Sequence, residues 1–490
     1  MNLLKKSLFI GVLGLTFSFF NIGEVFAATI QTNQNCSFVN AVLSAESNTA
    51  VGGCTSGSGT SDTIVLNQNI TLNSAYQNTE NALPVITTSI AIEGNNNTVT
   101  NDHSGGLNPF RIFELNGGSL TINNAIFQNI SGVNGHVDFG SLVKSSGGNL
   151  NLKNISSFDF SSALDGGAIY SLNTLVSITK SLFQFSGAER GGVLFMEGGQ
   201  KLSIVSTEMK NNSSLYEGGA VTVKGEVNVV IDSSLFKQNA SDEFGALSIG
   251  FLSNQKSLII KNSEFEKNYS STQGAVGWGG WQGKVSITGT TFFDNKGFSD
   301  GASFVNHDTF AIVDIINSTF SYNESFGVGS AILNRGEEGQ FTIAYTSFVN
   351  NNSNENGGTF TSFSPLPWIS SRLENNIFSQ NVGGDCNLET EVGLLKINNL
   401  SDDGSCGDTS ATGVFDTVEN NGGPTRTHKL IAGSNAIDTA VTFGARVKCP
   451  KVDQRGYARM IDGNSDGVAL CDIGAYEYTR TRPSTPATVR

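Results

Sequence analysis

One short phrase returns through the middle of the chain, and its spacing constrains the fold more than any other feature. From about residue 127 to residue 381, a β-type run ends in an aromatic residue or methionine. An Asn or Ser follows, and a Gly-rich break restarts the chain. The recurring anchors are Phe127, Phe158, Phe183, Met209, Phe236, Phe265, Phe292, Phe320, Phe348 and Phe378. Successive anchors lie 25 to 31 residues apart, a period typical of solenoids.

Each repeat has the chemistry of a stackable coil. Its β-branched apolar run, such as Val229 to Ile231, is too short for a helix. One unit cannot bury its apolar face alone, whereas stacked copies can, each adding about 4.8 Å along the axis. Equivalent residues then lie above one another, so we expect Phe on Phe inside and an Asn ladder at a corner. Paired glycines such as Gly166 and Gly167 suit corners that need positive φ or close backbone approach.

The predicted fold is therefore all-β: a right-handed parallel β-helix with disulfide-stapled N- and C-terminal caps, right-handed winding being the default for parallel crossovers. A propeller blade needs about 40 or more residues. Leucine-rich repeats need Leu where this chain has Phe, and sandwich strands would not keep one motif in register so often. The predicted boundaries are a signal peptide at 1–27, an N-terminal cap and first strand at 28–83, coils at 84–381, a loop-rich C-terminal region and cap at 382–478, and a disordered tail at 479–490.

The N-terminal region has two further features. Residues 1–27 have the pattern of a secretory signal, with two lysines, an apolar run from Leu8 to Phe20 and a small-residue cleavage site before Ala28. The apolar run is short for a membrane span, so we expect a secreted protein, extracellular or at the cell surface, without a transmembrane anchor after signal removal. Residues 35–47 predict one amphipathic helix covering the first open edge, followed by the first strand near residues 62–66.

Cysteine content and charge narrow the compartment and the partners. An even number of cysteines in an exported chain indicates disulfides, and six cysteines allow fifteen pairings; free thiols in a reducing compartment are the alternative. Neighbouring cysteines bracket the ends of the solenoid, which predicts the pairs Cys36–Cys54, Cys386–Cys406 and Cys449–Cys471. The formal net charge of −14 argues against a nucleic-acid partner and does not favour anionic lipid.

Three stretches carry a family resemblance. The opening residues 36–42 and the phrase GGCTSGSGTSDTIVL at 52–66 resemble the N-terminal region of bacterial exported proteins with CSLREAI-like residues. The phrases NGGPTRTHKL, SNAID, DQRGYAR and DGNSDGVALCDIGAYEY, between residues 421 and 478, are similar to the choice-of-anchor Q domain. The GGA(I/V) and FxxN phrases of the middle resemble repeats of chlamydial polymorphic outer-membrane proteins.

The resemblance implies an exported right-handed β-helix. The polymorphic proteins carry a C-terminal membrane barrel, and choice-of-anchor relatives often end in an apolar sorting segment. The chain shows neither pattern, so we expect release or non-covalent attachment rather than surface anchoring.

The segment 462–467, DGNSDG, matches the first half of a calcium loop, because alternating oxygen ligands around a tight Gly turn suit a hard cation. An EF-hand needs Glu at the twelfth position, where this chain has Ile473, so the motif is not an EF-hand. Asp472 or Glu477 is the candidate later ligand. The predicted ligands of a structural calcium ion are Asp462, Asn464, Asp466 and Asp472. The alternative is an Asp/Asn/Gly turn without metal.

Trp278 and Trp281, in VGWGGWQGK, are candidate ligand-binding residues. Exposed, they would stack on sugar rings or partner side chains; buried, they would close a wide coil. We expect at least one of the two to be buried.

A catalytic constellation is not evident. A glycoside hydrolase needs two carboxylates facing across a groove, and a lyase needs a base near a metal-neutralised uronate. The candidate carboxylates are scattered, as Asp242 and Glu243, Glu264 and Glu266, and Asp294 and Asp300. The four histidines are dispersed without metal spacing. We therefore expect an adhesin-like surface-interaction protein that binds a cell-surface glycan or protein, with a polysaccharide lyase or hydrolase as the alternative and catalytic residues unassigned.

Overall fold

The computed structural model describes residues 27–59, 61–104, 109–130, 137–250, 256–354, 357–363, 371–388 and 394–480. The predicted signal peptide, apart from Ala27, and the predicted tail beyond residue 480 lie outside the described residues.

The chain forms a parallel β-solenoid of about 11 turns, which confirms the predicted fold class. Three sheets run along it. The first sheet contains Thr29–Gln31, Asp62–Val65, Ile70–Leu72, Ser89–Glu93, Thr98–Asp102, Ser119–Ile130, Asn149–Phe158, Leu175–Thr179, Leu182–Gln184, Lys201–Val205, Glu208–Lys210, Asn228–Asp232, Leu235–Lys237, Ser257–Lys261, Glu264–Glu266, Lys284–Thr288, Thr291–Phe293, Ile312–Ile316, Thr319–Ser321, Gln340–Ala344, Ser347–Val349, Ser371–Glu374, Ile377–Ser379, Leu394–Ile397 and Leu400–Ser401.

The second sheet, with 11 strands, forms another side of the solenoid, and the third sheet, with six strands, forms a side of only some of the turns. The second sheet contains Phe113–Asn116, Val143–Ser146, Ile169–Leu172, Leu194–Glu197, Val221–Lys224, Leu247–Ile249, Val276–Trp278, Phe304–Asn306, Ile332–Asn334, Phe360–Ser362 and Cys386–Leu388. The third sheet contains Gly187–Arg190, Ser213–Glu217, Ala240–Glu243, Tyr269–Gln273, Lys296–Gly297 and Glu324–Ser325.

Inside the solenoid, nine of the ten predicted anchors lie in one column of the first sheet. Phe158 is the exception, and its placement in the column was wrong. Phe127 pairs with Ser157 and Ser157 with Phe183, so the alternation of the strand turns the half-buried Phe158 to the opposite face. From Phe236 to Phe378 the rings stack with centroids 4.5 to 5.1 Å apart. This spacing matches the rung repeat of about 4.8 Å.

An asparagine ladder runs along one corner, as predicted. Its members are Asn212, Asn239, Asn268, Asn295, Asn323, Asn351 and Asn381. From Asn212 to Asn351, each Nδ2 donates to the Oδ1 of the next member at 2.8 to 3.1 Å and also to a backbone carbonyl of the preceding rung. The last Nδ2, that of Asn381, donates to the Asp385 carboxylate at 2.9 Å and to the Phe348 carbonyl at 3.1 Å. The ladder therefore satisfies the amides at the bend without solvent.

The paired glycines meet the two needs predicted for them. Gly166 has φ of +65°, in the left-handed region. A Cβ on Gly167 would lie 2.1 Å from the carbonyl oxygen of Gly192, so the second glycine permits the close approach of neighbouring rungs.

The N-terminal end is closed by the helix Phe38–Ser47, within the predicted range 35–47. The Ser37 hydroxyl caps it by accepting from the Asn40 N–H at 3.2 Å. The strand predicted at 62–66 is Asp62–Val65, but it is not the first. Thr29–Gln31 precedes it and pairs with it in parallel. The short 3₁₀ helix Tyr76–Asn78 follows.

The three predicted disulfides are all present. Their Cα–Cα distances are 4.7 Å for Cys36–Cys54, 5.3 Å for Cys386–Cys406 and 6.2 Å for Cys449–Cys471. The first bond ties the start of the helix to the chain that follows it. Cys386 of the second bond lies in the last strand of the second sheet, and the third bond lies beyond the last strand of the solenoid.

Residues 411–480, here called the C-terminal arm, lie along the side of the solenoid. The Arg426 guanidinium pairs with Glu264, and at the other end the Asn398 Nδ2 donates to the Thr439 carbonyl at 2.7 Å. The arm therefore spans six successive rungs of the first sheet. Its backbone pairing consists of isolated antiparallel bridges, such as Val414 with Leu430. The sequence predicted a compact cap here but not the surface that it covers.

Candidate ligand-binding face

The structure separates the two candidate tryptophans. Trp278 ends the strand Val276–Trp278, where its indole is 0% exposed in the core. The Lys256 ammonium lies 4.9 Å from the centre of that ring. Trp281 is 47% exposed, and the edge of its ring packs on Phe310 at 5.0 Å between centroids. Only Trp281 is therefore available to contact a ligand.

Gln282, the residue after Trp281, helps to line a hollow of about 500 Å³. Two lysines give this hollow a cationic lining. Its described lining residues are Asn228, Lys256, Ser257, Gln282 and Lys284. Burial lowers the pKa of Lys256 to about 8, while the charge of Asp308 acts in the opposite direction. The Lys256 ammonium donates to the Gly250 carbonyl at 2.9 Å.

Three of the four predicted calcium ligands lie in one exposed turn. The Asp462 carboxylate accepts from the N–H groups of Ser465 and Gly467, at 2.5 and 3.1 Å. The Asn464 Nδ2 donates to the Asp466 carboxylate at 3.1 Å. The carboxylate oxygens that would bind calcium thus already accept hydrogen bonds within the turn. Among the described residues, no group of three or more His, Cys, Asp and Glu side chains is arranged to hold a metal ion.

The fourth predicted ligand, Asp472, is buried and faces away from bulk solvent. Its Oδ1 accepts from the Asp438 N–H at 2.8 Å, and the Asp438 Oδ2 accepts the N–H groups of residues 463 and 464. Burial first, and then the charge of Glu477, raise the pKa of Asp472 to about 8. Asp472 therefore connects to the loop through Asp438, a residue that the sequence reasoning missed.

The buried charges of the C-terminal arm form a network that fastens it to the solenoid. The Arg459 guanidinium donates to Glu477 at 3.3 Å, to the Asn317 side chain at 2.8 Å and to the Gly474 carbonyl at 2.7 Å. It also lies 5.0 Å from the centre of the Tyr345 ring. The phrases DQRGYAR and CDIGAYEY thus meet in one buried cluster, which gives their charged residues a structural role.

Two of the candidate carboxylate pairs are engaged in ion pairs. Glu264 and Glu266 both hold Arg426, with N–O distances of 3.1 and 3.0 Å. Asp294 lies 4.0 Å from the Lys267 ammonium, and Asp300 pairs with Arg335. These carboxylates therefore have charge partners within the chain.

The third candidate pair, Asp242 and Glu243, lies at the exposed end of the strand Ala240–Glu243 in the third sheet. Glu243 pairs in register with Glu217 of the preceding rung. The Glu217 carboxylate is held by the Lys224 ammonium at 2.7 Å and accepts from the Ser248 hydroxyl at 3.1 Å. Burial first, and then the charges of Glu217 and Asp242, raise the pKa of Glu243.

Two exposed phenylalanines directly follow strands of the third sheet. Phe298 and Phe326 are 57% and 53% exposed, and their ring centroids are 4.7 Å apart. Each follows a buried residue, Gly297 or Ser325, so strand alternation turns the ring outward. We call the surface around them the aromatic face, which consists of Tyr269, Lys296, Phe298, Glu324, Phe326, Asn352, Asn354 and Val382.

A hollow of about 380 Å³ lies beside Phe326 on this face. Its described lining residues are Glu324, Ser325, Phe326, Asn352, Ser353, Asn354, Val382 and Gly383. The Lys296 ammonium pairs with the Glu324 carboxylate at 2.7 Å. The hollow thus combines an aromatic wall with amide and carboxylate groups, a mixture typical of ligand sites.

The sequence reasoning missed this face, although a spacing marks it. Anchor phenylalanines such as Phe292 precede a ladder Asn by three residues, whereas Phe298 and Phe326 follow one by three. Both of these rings lie just beyond a strand of the third sheet and face outward. The offset from Asn, rather than the presence of Phe, separates surface from core.

Comparisons of the chain with protein-family models, curated proteins and solved structures found no match. Across the described ranges, none of the helices has the length and apolar character needed to cross a membrane. Fold and surface together define a parallel β-solenoid that carries an exposed aromatic face.

Proposed function

We propose that this chain is an exported surface-interaction protein that binds an extended glycan along the aromatic face. The observation that carries the proposal is the pair Phe298 and Phe326, whose exposed rings lie 4.7 Å apart between centroids, tilted by 35°, beside a polar hollow. Large apolar side chains grouped at a surface mark interaction sites more often than single ones do. The C-terminal arm lies on the first sheet and leaves this pair exposed.

The chemistry of the face suits a sugar chain. The apolar faces of pyranose rings pack on aromatic rings, and their hydroxyls bond to amides and carboxylates, here Asn352, Asn354 and Glu324. From Tyr269 to Val382 the face covers five rungs, about 19 Å at the rung repeat of about 4.8 Å. A flexible loop would have to be ordered on binding, whereas stacked rungs present these groups already in place.

Export is supported by three features of different kinds. The leader-like residues 1–27 precede the first rung, and three disulfides suit an oxidising compartment. The resemblance to choice-of-anchor Q and CSLREAI-like bacterial proteins points the same way. A cell-surface location, with release or non-covalent attachment, is part of the proposal.

The test is glycan-array binding followed by titration calorimetry on any glycan that binds. The variant Phe298→Ala/Phe326→Ala should weaken binding at least about tenfold, because each ring supplies about 1 kcal/mol or more of contact. Phe443→Ala is the matched control, since Phe443 is 93% exposed in the arm, away from the face. Equal binding by both variants, or binding to proteins only, would contradict the proposal.

A second candidate, a polysaccharide-active enzyme, is favoured by the pair Glu217 and Glu243. Carboxylates on adjacent rungs are about 4.8 Å apart at the backbone, close to the roughly 5 to 5.5 Å of retaining glycosidases. The raised pKa of Glu243 suits an acid, whereas the Lys224 contact occupies Glu217. Incubation with a polysaccharide panel, read for reducing ends and unsaturated uronate, decides: product that disappears in Glu243→Gln supports the enzyme, and its absence in every sample removes it.

A further inference from the structure

The buried carboxylate of Asp62 binds the backbone nitrogen at the start of the first rung. Its Oδ1 accepts from the Ala28 N–H at 2.9 Å and from the Ser58 hydroxyl at 2.8 Å. The Ser58 Oγ accepts a second contact from the same Ala28 nitrogen, at 2.8 Å. Two oxygens thus converge on one backbone nitrogen, at the position where the leader pattern predicts cleavage.

The surrounding backbone holds this nitrogen in place. The Ala28 carbonyl accepts from the Thr63 N–H at 2.8 Å, and Thr29–Gln31 then pairs with the strand that contains Asp62. Ala27 is exposed and Ala28 is half-buried. The bond between these two alanines therefore lies where the chain leaves the solenoid.

Among the described residues, the Asp62 carboxylate has neutral hydrogen-bond donors as its partners. Asp62 is 3% exposed, and within the described part of the chain no Lys, Arg or His side chain forms an ion pair with it. A buried carboxylate that is compensated only by neutral donors retains a desolvation cost, which an opposite charge at hydrogen-bond distance offsets. An amide N–H at Ala28 supplies no such charge, whereas an ammonium group does.

We propose that Asp62 and Ser58 form a receptor for the α-ammonium group that hydrolysis of the Ala27–Ala28 bond creates. In that reaction water adds across the amide and the C–N bond breaks. Ala27 leaves with the carboxylate, and the Ala28 amine takes up a proton. The ammonium group then replaces the amide N–H between the same two oxygens. Leader removal thus converts a neutral contact into an ion pair that fastens the outermost rung.

Two chains that differ by one residue test this: one begins at Ala28 and the other at Ala27, both released from a cleavable fusion. The probe is reductive methylation of the α-amine at pH 7.5, followed by peptide mass mapping. An opposite charge favours the ammonium form. At pH 7.5 a pKa raised by one unit above the ordinary α-amine value slows labelling about sevenfold, and we expect this in the Ala28 chain relative to the Ala27 chain.

The variant Asp62→Asn should remove that difference in labelling, and should lower the melting temperature more in the Ala28 chain than in the Ala27 chain. Ser58→Ala, which keeps the carboxylate, serves as the second variant where Asp62→Asn does not fold. Equal labelling rates in the two wild-type chains would overturn the proposal. So would a secreted protein whose N-terminal residue is not Ala28.

Discussion

The Nε2 atom of His428 in the C-terminal arm lies 2.7 Å from the hydroxyl oxygen of Ser321 on the first sheet. Its Nδ1 lies 2.7 Å from the Phe415 carbonyl and must donate to it, so Nε2 accepts from the Ser321 hydroxyl. Burial lowers the pKa of His428 to about 4, from its ordinary value of 6.5. The neutral imidazole is therefore part of the contact between arm and solenoid.

This contact predicts a loss of stability in acid. Because the folded pKa of His428 lies below the ordinary one, its contribution is complete above pH 6.5 and is lost as the pH falls towards 4. The difference in pKa corresponds to at most about 3 kcal/mol in the free energy of unfolding. Denaturant unfolding monitored between pH 4 and pH 7 measures it.

The control for this prediction is His428→Gln, which has a donor and an acceptor but does not titrate. The variant should show a shallower fall in unfolding free energy between pH 6.5 and pH 4 than the wild type. An identical pH profile in the two proteins would show that another group is responsible.

The asparagine ladder predicts an unequal response to the same substitution at two sites. In Asn295→Ala, the Asn268 side chain loses its acceptor and the Phe265 carbonyl loses a donor, with both groups buried. Unsatisfied buried groups cost about 1 to 3 kcal/mol each, so we expect a loss of about 3 kcal/mol in denaturant unfolding. Asn116→Ala, at an exposed strand end, should change stability by about 0.5 kcal/mol or less. Equal losses at both sites would contradict a stabilising ladder.

The predicted calcium loop is tested by thermal melting with added ion. Asp462 and Asp466 each retain carboxylate lone pairs beyond their turn hydrogen bonds, so calcium at about 100 times its Kd should stabilise the protein by about 2.7 kcal/mol. Magnesium, which demands octahedral geometry, should stabilise it less. The double variant Asp462→Asn/Asp466→Asn should lose the shift. A melting temperature unchanged by millimolar calcium would exclude the site.

Periodicity was enough to predict the solenoid, its column of rings and its ladder, because each feature repeats at a fixed offset. It failed at Phe158, where the neighbouring Ser157 occupies the core column. The repeat spacing pointed to the aromatic residue Phe158, but the alternation of the strand places the smaller Ser157 inside. The register of a strand is set by its pairing with the neighbouring rung. The repeat spacing alone does not show a shift of one residue in that pairing.

The surface covered by the C-terminal arm was not predictable from the sequence for a different reason. The Thr319 hydroxyl bonds to the Gln454 side chain across 135 residues. A threonine that points outward from a strand looks the same in sequence whether water or an arm covers it. Likewise, Trp278 and Trp281 are separated into core and surface by a turn that residue type alone does not specify.

The arm has a consequence for the order in which the molecule is completed. Synthesis proceeds from the N-terminus, so the rungs from Glu264 to Asn398 exist before the segment that covers them. The groups they present outward to the arm include the hydroxyls of Thr291, Thr319 and Ser347, which water solvates as well as protein does. The same rungs also present apolar side chains to the arm, among them Ala344, Tyr345, Ile377 and Leu400. An incomplete chain therefore exposes this apolar flank to water until residues 411–480 are made and cover the last six rungs of the first sheet.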